Sequence, residues 1–266
     1  MDQKGELIVM GSGTSQGIPV IGCDCEVCSS MDAKDKRTRS SVHLQLDGLH
    51  LQIDTGPDFR TQMLREELGE VDAVLFTHEH QDHIAGLDDV RPMIFRTGNA
   101  MKIFGQQRVL DRIKKAFHYA FEPQPYPGAP RIDSHVIEAS LPFTIEGVEI
   151  HPIPVLHGKL PILGYRIGTL AYITDVNHIE ESVIKDQLQH LDVLFLDALH
   201  HKVHYSHYTL EEAVEVAQKI GAKKTYFIHM SHYMGTHADT QQQLPEHMFL
   251  SYDGLRVEFN YASSDR

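Results

Sequence analysis

The sequence predicts a single α/β domain that spans residues 1–266. Short apolar segments typical of buried strands alternate along the chain with segments of helical periodicity. The length of 266 residues suits one large domain with a sizeable core. No internal repeat, low-complexity tract or shift in composition marks a second domain. We therefore expect one layered fold, with its functional residues in the loops that follow buried strands.

The N-terminal part of the chain predicts a strand and a hairpin. Residues 7–10 have the apolar character of a short strand. A glycine-rich turn follows, in which Gln16 stands where a dinucleotide-binding loop would need its third glycine. Residues 42–46 and 50–54 flank Asp47-Gly48, which is a strong hairpin signal. We expect β-strands early in the chain and no dinucleotide cofactor.

The rest of the chain alternates between the two types of element. Helical periodicity over residues 59–68 precedes a buried strand over 71–76. Further strands are predicted over residues 148–155, 164–167, 170–174, 193–196 and 225–228. Further helices are predicted over residues 106–119, 180–188 and 210–219. The last of these helices begins with the capping-box pair Thr209 and Glu212, and Gly221 marks its end.

The composition limits the range of partners. The formal net charge of −13 argues against a broad basic surface for long nucleic acid, so a small substrate fits better. No apolar stretch approaches the length of a membrane span. The first residues also lack the apolar region and cleavage site of a signal peptide. We therefore expect a cytoplasmic protein that does not associate with membranes.

A dense run of metal-binding residue types follows the predicted strand over residues 71–76. It reads His78-Glu79-His80-Gln81-Asp82-His83. If the segment were extended, His78, His80 and Asp82 would point one way, and a turn would aim His83 towards a second position. Such a segment can serve two adjacent metals. The competing interpretation is a solvated polar loop that holds several histidines by chance. Four metal-binding side chains within six residues make that interpretation the weaker one.

Three further donors stand where predicted strands end. A zinc site needs about four ligands, or three with an open position, so two metals require donors from elsewhere in the chain. His157, Asp175 and His229 each end a buried strand pattern. Taken singly, such a residue is more often a turn or capping residue. Together with the histidine run, the three indicate metal ligands.

The cysteines form a separate group. Cys23, Cys25 and Cys28 lie within six residues, an odd number at a spacing unlike a disulfide framework. Metal binding is the natural explanation for this spacing. The alternative is that they are ordinary reduced cysteines of a cytosolic loop.

The histidine run and the later strand-end residues together resemble the metallo-β-lactamase superfamily over nearly the whole chain. This resemblance implies a four-layer αββα sandwich. It implies a first metal held by His78, His80 and His157. It implies a second metal held by Asp82, His83 and His229, with Asp175 bridging the two. Asp54 resembles an early aspartate of the family that supports the metal-binding loop.

A closer resemblance is to the phosphoribosyl cyclic phosphodiesterases of the carbon–phosphorus lyase pathway. It rests on residues 13–19 with the cysteine cluster, on residues 157–160 with Gly164-Tyr165, and on His229-Met230-Ser231-His232. In that group the second histidine completes a structural site with the three cysteines. Cys23, Cys25, Cys28 and His232 would give a tetrahedral S₃N set closed to water, which suits one structural zinc.

The expected reaction is metal-dependent hydrolysis. Two divalent metals would hold a bridging hydroxide as the nucleophile and neutralise phosphodiester oxygens during in-line attack. The leaving alkoxide then needs a proton from a group that titrates near neutrality. His207 resembles the histidine given that role in phosphodiesterases of the superfamily, and His200 is a second candidate. With the ligand Asp82, these two histidines form the expected catalytic set.

Hydrolysis of a small cyclic phosphate or nucleotide-like phosphodiester is the leading hypothesis. The alternative is an acyl hydrolase for a thioester or lactone, which uses the same metals without His207. A tRNA 3′-end nuclease is disfavoured by the acidic charge, and a di-iron oxidoreductase by His80, where that class has glutamate. A scaffold without metals is disfavoured because every expected ligand is present. The catalytic metals can be zinc, manganese or iron, and a homodimer is in keeping with the resemblance. The sequence does not name the substrate.

Overall fold

Two seven-stranded sheets face each other, and helices cover the outer face of each. In the computed structural model the described residues are 3–122, 126 and 128–263. The first sheet contains β1 (Gln3–Gly11), β2 (Ser41–Leu46), β3 (Leu49–Ile53), β4 (Ala73–Leu75), β5 (Met101–Gly105), β6 (Ile132–Val136) and β14 (Arg256–Tyr261). The second contains β7 (Phe143–Ile145), β8 (Val148–His157), β9 (Leu160–Ile167), β10 (Leu170–Ile173), β11 (Val193–Asp197), β12 (Lys224–Ile228) and β13 (Met248–Leu250).

The helices are short and fall between strands. They are α1 (Glu26–Ser29), α2 (Phe59–Arg65), α3 (Gln81–Ile84), α4 (Arg91–Thr97), α5 (Gln107–Ala116), α6 (Glu181–Gln187), α7 (Leu210–Ile220) and α8 (His237–Gln241). Single 3₁₀ turns cover Ala33–Asp35, Leu87–Val90, His118–Ala120 and His232–Met234. Within the described parts of the chain, no helix is long and apolar enough to cross a membrane.

The two sheets have matching topologies. The strand orders are β14-β1-β2-β3-β4-β5-β6 and β13-β12-β11-β10-β9-β8-β7. In the first sheet, the pairs from β3 to β6 are parallel and the others antiparallel. In the second, the pairs from β10 to β13 are parallel. Loops at the carboxyl ends of parallel strands commonly form binding sites. We therefore expect the functional site at the edge of the sandwich where these strand ends lie.

Three apolar clusters show that the fold has four layers. In β1, Leu7 and Val9 pack between the two sheets, whereas Ile8 and Met10 pack against the helices of the first sheet. Strand β11 repeats the pattern, because Phe195 faces the first sheet and Leu194 faces the helices of the second. Successive side chains of a strand point to opposite faces, so both sheets are buried on both sides. The expected αββα sandwich is confirmed.

Most predicted elements are present, with shifted ends. Helix α7 has the expected capping box, in which Glu212 N donates to the Thr209 hydroxyl and Thr209 N to the Glu212 carboxylate. It ends at Ile220, and Gly221 follows with a positive φ of 70°. Helix α5 ends at Ala116, three residues earlier than predicted, where a 3₁₀ turn takes over. Strands β5, β6, β7, β13 and β14 and helix α4 were not predicted.

A buried histidine in the first sheet makes stability depend on pH. His43 is fully buried; its Nδ1 lies 3.2 Å from Gln52 Oε1 and its Nε2 3.2 Å from His50 Nδ1. Burial, the neighbouring His50 and the more distant Arg256 lower the pKa of His43 to about 4. Between pH 6.5 and 4 the His43 ring therefore stays neutral in the folded protein, whereas the same ring binds a proton in the unfolded chain.

We expect the free energy of unfolding to fall as the pH drops through this window. His43 contributes a slope of about 1.4 kcal/mol per pH unit, because only the unfolded state gains the proton. The His43→Gln variant lacks this contribution, so its stability should approach that of the wild type as the pH is lowered from 7 to 5. Urea unfolding of both proteins at three pH values measures this. A difference that does not change with pH would contradict the assignment.

Candidate metal centre and active site

The histidine run begins three residues after the end of β4, at the edge of the sandwich where the carboxyl ends of the parallel strands lie. The Tyr165 hydroxyl of the second sheet donates to the Phe76 carbonyl at 2.7 Å, which fixes the position of the run between the sheets. His80 has an extended backbone and is the N-cap of α3, which begins at Gln81. The segment is therefore extended only as far as His80. The expectation that His78, His80 and Asp82 point one way required an extended backbone through Asp82, and the helix excludes it. The helical turn instead separates the first two histidines from the aspartate and histidine that follow.

His78, His80 and His157 form the first group of donors. A ring nitrogen of each lies within 4.8 Å of those of the other two. His78 Nε2 lies 3.0 Å from His80 Nδ1, and the His157 ring centroid lies 5.2 Å from that of His80. His157 reaches them from the end of β8 in the second sheet. Three imidazoles from two sheets thus converge on one point.

Asp82, His83, His229 and Asp175 form the second group. His83 Nε2 lies 3.3 Å from a carboxylate oxygen of Asp82 and 3.3 Å from one of Asp175. His229 Nε2 lies 3.2 Å from the other Asp175 oxygen, which is also 3.9 Å from His78 Nε2. Asp175 therefore faces both groups, as a bridging ligand must.

The donors fit divalent metals of the zinc type. Imidazole nitrogens and carboxylate oxygens are ligands that zinc, manganese and iron accept. The Nε2 atoms of His83 and His229 are buried and have no hydrogen-bond partner, although such atoms are costly to leave unsatisfied. Burial lowers the pKa of His229 to about 4, so its ring is in the neutral form that binds metal. A metal ion held by the second group would satisfy both atoms.

Partners on the far side of each ring orient the donors. Asp54 accepts from Thr77 N at 2.9 Å and lies 2.7 Å from His83 Nδ1, which leaves His83 Nε2 to face the second group. His157 Nδ1 donates to the Ser206 carbonyl at 2.9 Å, so its Nε2 faces the first group. Such partners fix the tautomer and aim of metal-binding histidines.

Three residues of the site adopt a left-handed backbone conformation within two residues of the end of a strand. Asp54, Asp175 and His229 have φ values of 61°, 55° and 64°. This conformation is uncommon for residues other than glycine and is tolerated where the surroundings enforce it, often at functional sites. The chain turns sharply at each of these residues, at the edge where the donor groups lie.

His207 is almost buried beside the second group. Its ring stacks on that of His229 at 4.8 Å and meets that of His157 edge-on at 4.7 Å. Its Nδ1 lies 3.3 Å from both carboxylate oxygens of Asp197. Burial by itself would lower the pKa of His207, but the Asp197 carboxylate outweighs it and raises the pKa to about 9. The structure thus brings His207 into contact with a histidine of each donor group.

Asp197 was not predicted as a site residue, although it also ends a buried strand pattern, as Asp175 does. It ends β11, is fully buried, and also lies 3.4 Å from His229 Nδ1. That contact is not aligned as a hydrogen bond. His200 lies farther out: its ring centroid is 6.1 Å from that of His204, and it belongs to none of the donor groups found among the described residues.

The cysteines and His232 meet at a separate point. His232 Nδ1 lies 3.3, 3.4 and 3.6 Å from the sulfurs of Cys23, Cys25 and Cys28. All three cysteines are free thiols. Hydrogen bonds, above all the one from the Cys28 backbone, lower the pKa of Cys25 to about 6, whereas burial raises the pKa of Cys28 to about 11. Three sulfurs around one imidazole nitrogen fit a tetrahedral zinc site.

Comparison with known proteins decides the family. The model of the β-lactamase superfamily domain matches residues 50–230. The chain belongs to the metallo-β-lactamase superfamily. A solved structure described as a new diphosphatase from the PhnP family shares 43% identity at a TM-score of 0.92, and the alignment covers 98% of this chain and 99% of that one. Together these similarities support a hydrolase of this fold.

Other relatives are similar over less of their length or at lower identity. An octanoyltransferase of Porphyromonas gingivalis is 41% identical over 252 residues, which are 94% of this chain and 51% of that protein. The coenzyme PQQ synthesis protein B of Methylobacterium radiotolerans is 31% identical over 40% of this chain and 39% of its own length. The chain thus spans about half or less of these curated relatives. Zn²⁺-bound PqqB from Methylobacterium extorquens shares the fold at a TM-score of 0.76 and 19% identity, with 95% and 99% of the two chains covered.

Proposed function

We propose that this chain is a phosphodiesterase that hydrolyses a small cyclic phosphate or a nucleotide-like phosphodiester. The observation that carries the proposal is the pair His207 and Asp197, which lies directly beside the two donor groups. Such a pair supplies the proton that the leaving group of an alkyl phosphodiester needs and that the leaving group of a thioester needs much less. The net charge of −13 favours a small substrate over a long nucleic acid.

The donor groups would hold two catalytic metals. His78, His80 and His157 would bind one, Asp82, His83 and His229 the other, and Asp175 both. When bound, two divalent metals supply a hydroxide nucleophile at neutral pH and neutralise charge on the phosphate oxygens.

His207 would protonate the leaving oxygen. Asp197 faces Nδ1, so Nε2 remains for the substrate. With its pKa raised to about 9, the ring carries a proton at neutral pH and can donate it to an alkoxide. Asp197 also fixes the orientation of the ring. A thiolate leaving group has a pKa near that of cysteine, about 8.5, and needs this proton much less.

A diphosphate is the second candidate substrate, because the relative with 43% identity is described as a diphosphatase. The bond broken there is a phosphoanhydride, and its leaving phosphate is less basic than an alkoxide. The same donors would serve this reaction, and dependence on His207 would be weaker.

Hydrolysis assays on one preparation test the proposal. The substrates are bis-p-nitrophenyl phosphate, a nucleoside 2′,3′-cyclic phosphate, a nucleoside diphosphate ester and an acyl thioester. We expect metal-dependent turnover of the first two. Turnover of the thioester alone would contradict the proposal and favour acyl hydrolysis; turnover of the diphosphate alone would favour the second candidate.

Removal of one ligand tests the proposed zinc site at the cysteines and His232. Cys25→Ser should release one metal equivalent and lower the melting temperature, since a structural zinc contributes directly to folding. A loss of about 2 kcal/mol would lower it by roughly 4–8 °C. The kcat should stay the same. Elemental analysis, thermal unfolding and the phosphodiesterase assay measure these, with Met31→Ser in the same exposed loop as the control. Unchanged metal content would refute the site.

A further inference from the structure

A row of aromatic rings runs outward from the candidate active site. The His204 ring centroid lies 5.1 Å from that of His207, and Tyr205 follows at 4.9 Å from His204. On the other side, His200 lies 6.1 Å from His204, and Tyr233 lies 6.2 Å from His200. We call His200, His204, Tyr205 and Tyr233 the aromatic rim. It begins at the proposed proton donor and ends in solvent.

The outer members of the rim are unusually exposed. Among the described tyrosines and phenylalanines, Tyr205 and Tyr233 have the highest relative exposure, 81% and 70%. The next is Phe95 at 60%, on helix α4. Single exposed aromatic residues are common on protein surfaces. Here the two most exposed belong to one row that leads into the site.

The backbone beneath the rim is held in place. Leu210 N donates to the His200 carbonyl at 2.9 Å, which closes the loop at its ends. Asn177 joins the loop to the neighbouring turn: its Nδ2 donates to the Tyr205 carbonyl at 3.2 Å, and its Oδ1 accepts from Gly158 N at 2.7 Å. Gly158 directly follows the donor His157. The position of Tyr205 is therefore coupled to the metal-binding edge, and little backbone freedom is lost when a ligand binds.

We propose that Tyr205, at one end of the rim, forms a stacking subsite for a nucleobase of the substrate. The inference rests on the proposed phosphodiesterase function, since the phosphate would lie at the donor groups. Exposed aromatic rings bind bases through their π-faces, and every base has one. His207 is two ring contacts from Tyr205, so a nucleoside can extend from the centre to the rim. The substrate class is then a nucleotide-type phosphodiester rather than a simple sugar or glycerol phosphate.

Paired substrates test the subsite. Adenosine 2′,3′-cyclic phosphate and glycerol 1,2-cyclic phosphate carry the same reacting group, and only the first has a base. Tyr205→Ala should raise the KM for the nucleotide roughly tenfold, leave its kcat unchanged, and leave both constants for the glycerol compound unchanged. Tyr205→Phe keeps the ring and should behave like the wild type. Phe95→Ala is the matched control and should change nothing.

A binding measurement separates this inference from the proposed function. Calorimetry with adenosine 3′-monophosphate and glycerol phosphate should show weaker binding in Tyr205→Ala for the nucleotide alone. Equal weakening for both ligands, or none for either, would overturn the subsite. If neither cyclic phosphate is hydrolysed but nucleotide binding still depends on Tyr205, the proposed function fails and the subsite stands.

Discussion

Replacing His207 with alanine should reduce kcat for an alkyl phosphodiester by roughly 10²–10⁴-fold, the usual contribution of a positioned general acid. The reason is that an alkoxide cannot leave readily without a proton. Bis-p-nitrophenyl phosphate releases a weakly basic phenolate, so its turnover should fall far less. The measurement is kcat for both substrates, with metal content determined on the same samples.

Two variants sharpen this prediction. Asp197→Asn keeps the His207 ring but removes the carboxylate that raises the pKa of His207. Its kcat should therefore also fall more for the alkyl phosphodiester than for bis-p-nitrophenyl phosphate, but by less than in His207→Ala. His135→Ala changes a half-buried histidine on β6, away from the donor groups, and serves as the control. Equal losses on both substrates, or loss of metal from His207→Ala, would show that His207 is not the proton donor.

Replacing Asp175 with asparagine should affect both catalytic metals at once. Asp175 faces both donor groups, so its carboxylate would be shared by both metals. Changes to the partners behind metal ligands typically cost 10- to 100-fold in affinity or activity, and loss of a bridging ligand should exceed about 100-fold. We expect phosphodiesterase activity to fall accordingly and the catalytic metals to be lost together.

A matched control keeps this result specific. Asp133→Asn changes an exposed aspartate on β6 and should alter neither activity nor metal content. Asp54→Asn should weaken metal binding by roughly 10- to 100-fold, because it removes the partner of His83 Nδ1 and leaves the ligands themselves intact. An Asp175→Asn protein that retains both catalytic metals would contradict the bridging role.

The layered fold was predictable because its signals are local. The capping box at Thr209 and the hairpin at Asp47-Gly48 each depend on a few neighbouring residues, and both are present. The strand order depends on pairs far apart in sequence, such as Gln3 with Tyr261, and no local pattern shows them. Strand β13 was not predicted because it has only three residues, too few to show a strand period.

In the candidate site, too, local signals were predictable and the features that depend on distant parts of the chain were not. Strand-end positions brought His157, Asp175 and His229 to attention, and the structure places all three at one edge. The start of α3 at Gln81 was not expected, because the run of polar residues has no apolar periodicity there. Asp197 was missed because a single strand-end aspartate resembles an ordinary turn residue. Its importance appears only when β11 places it beside His207 and His229.

Metal content per chain, determined by elemental analysis of the purified wild-type protein, tests the central claim most directly. The two donor groups and the cysteine site together predict roughly three equivalents of divalent metal. One equivalent or none would contradict a dinuclear centre, and with it the proposed reaction.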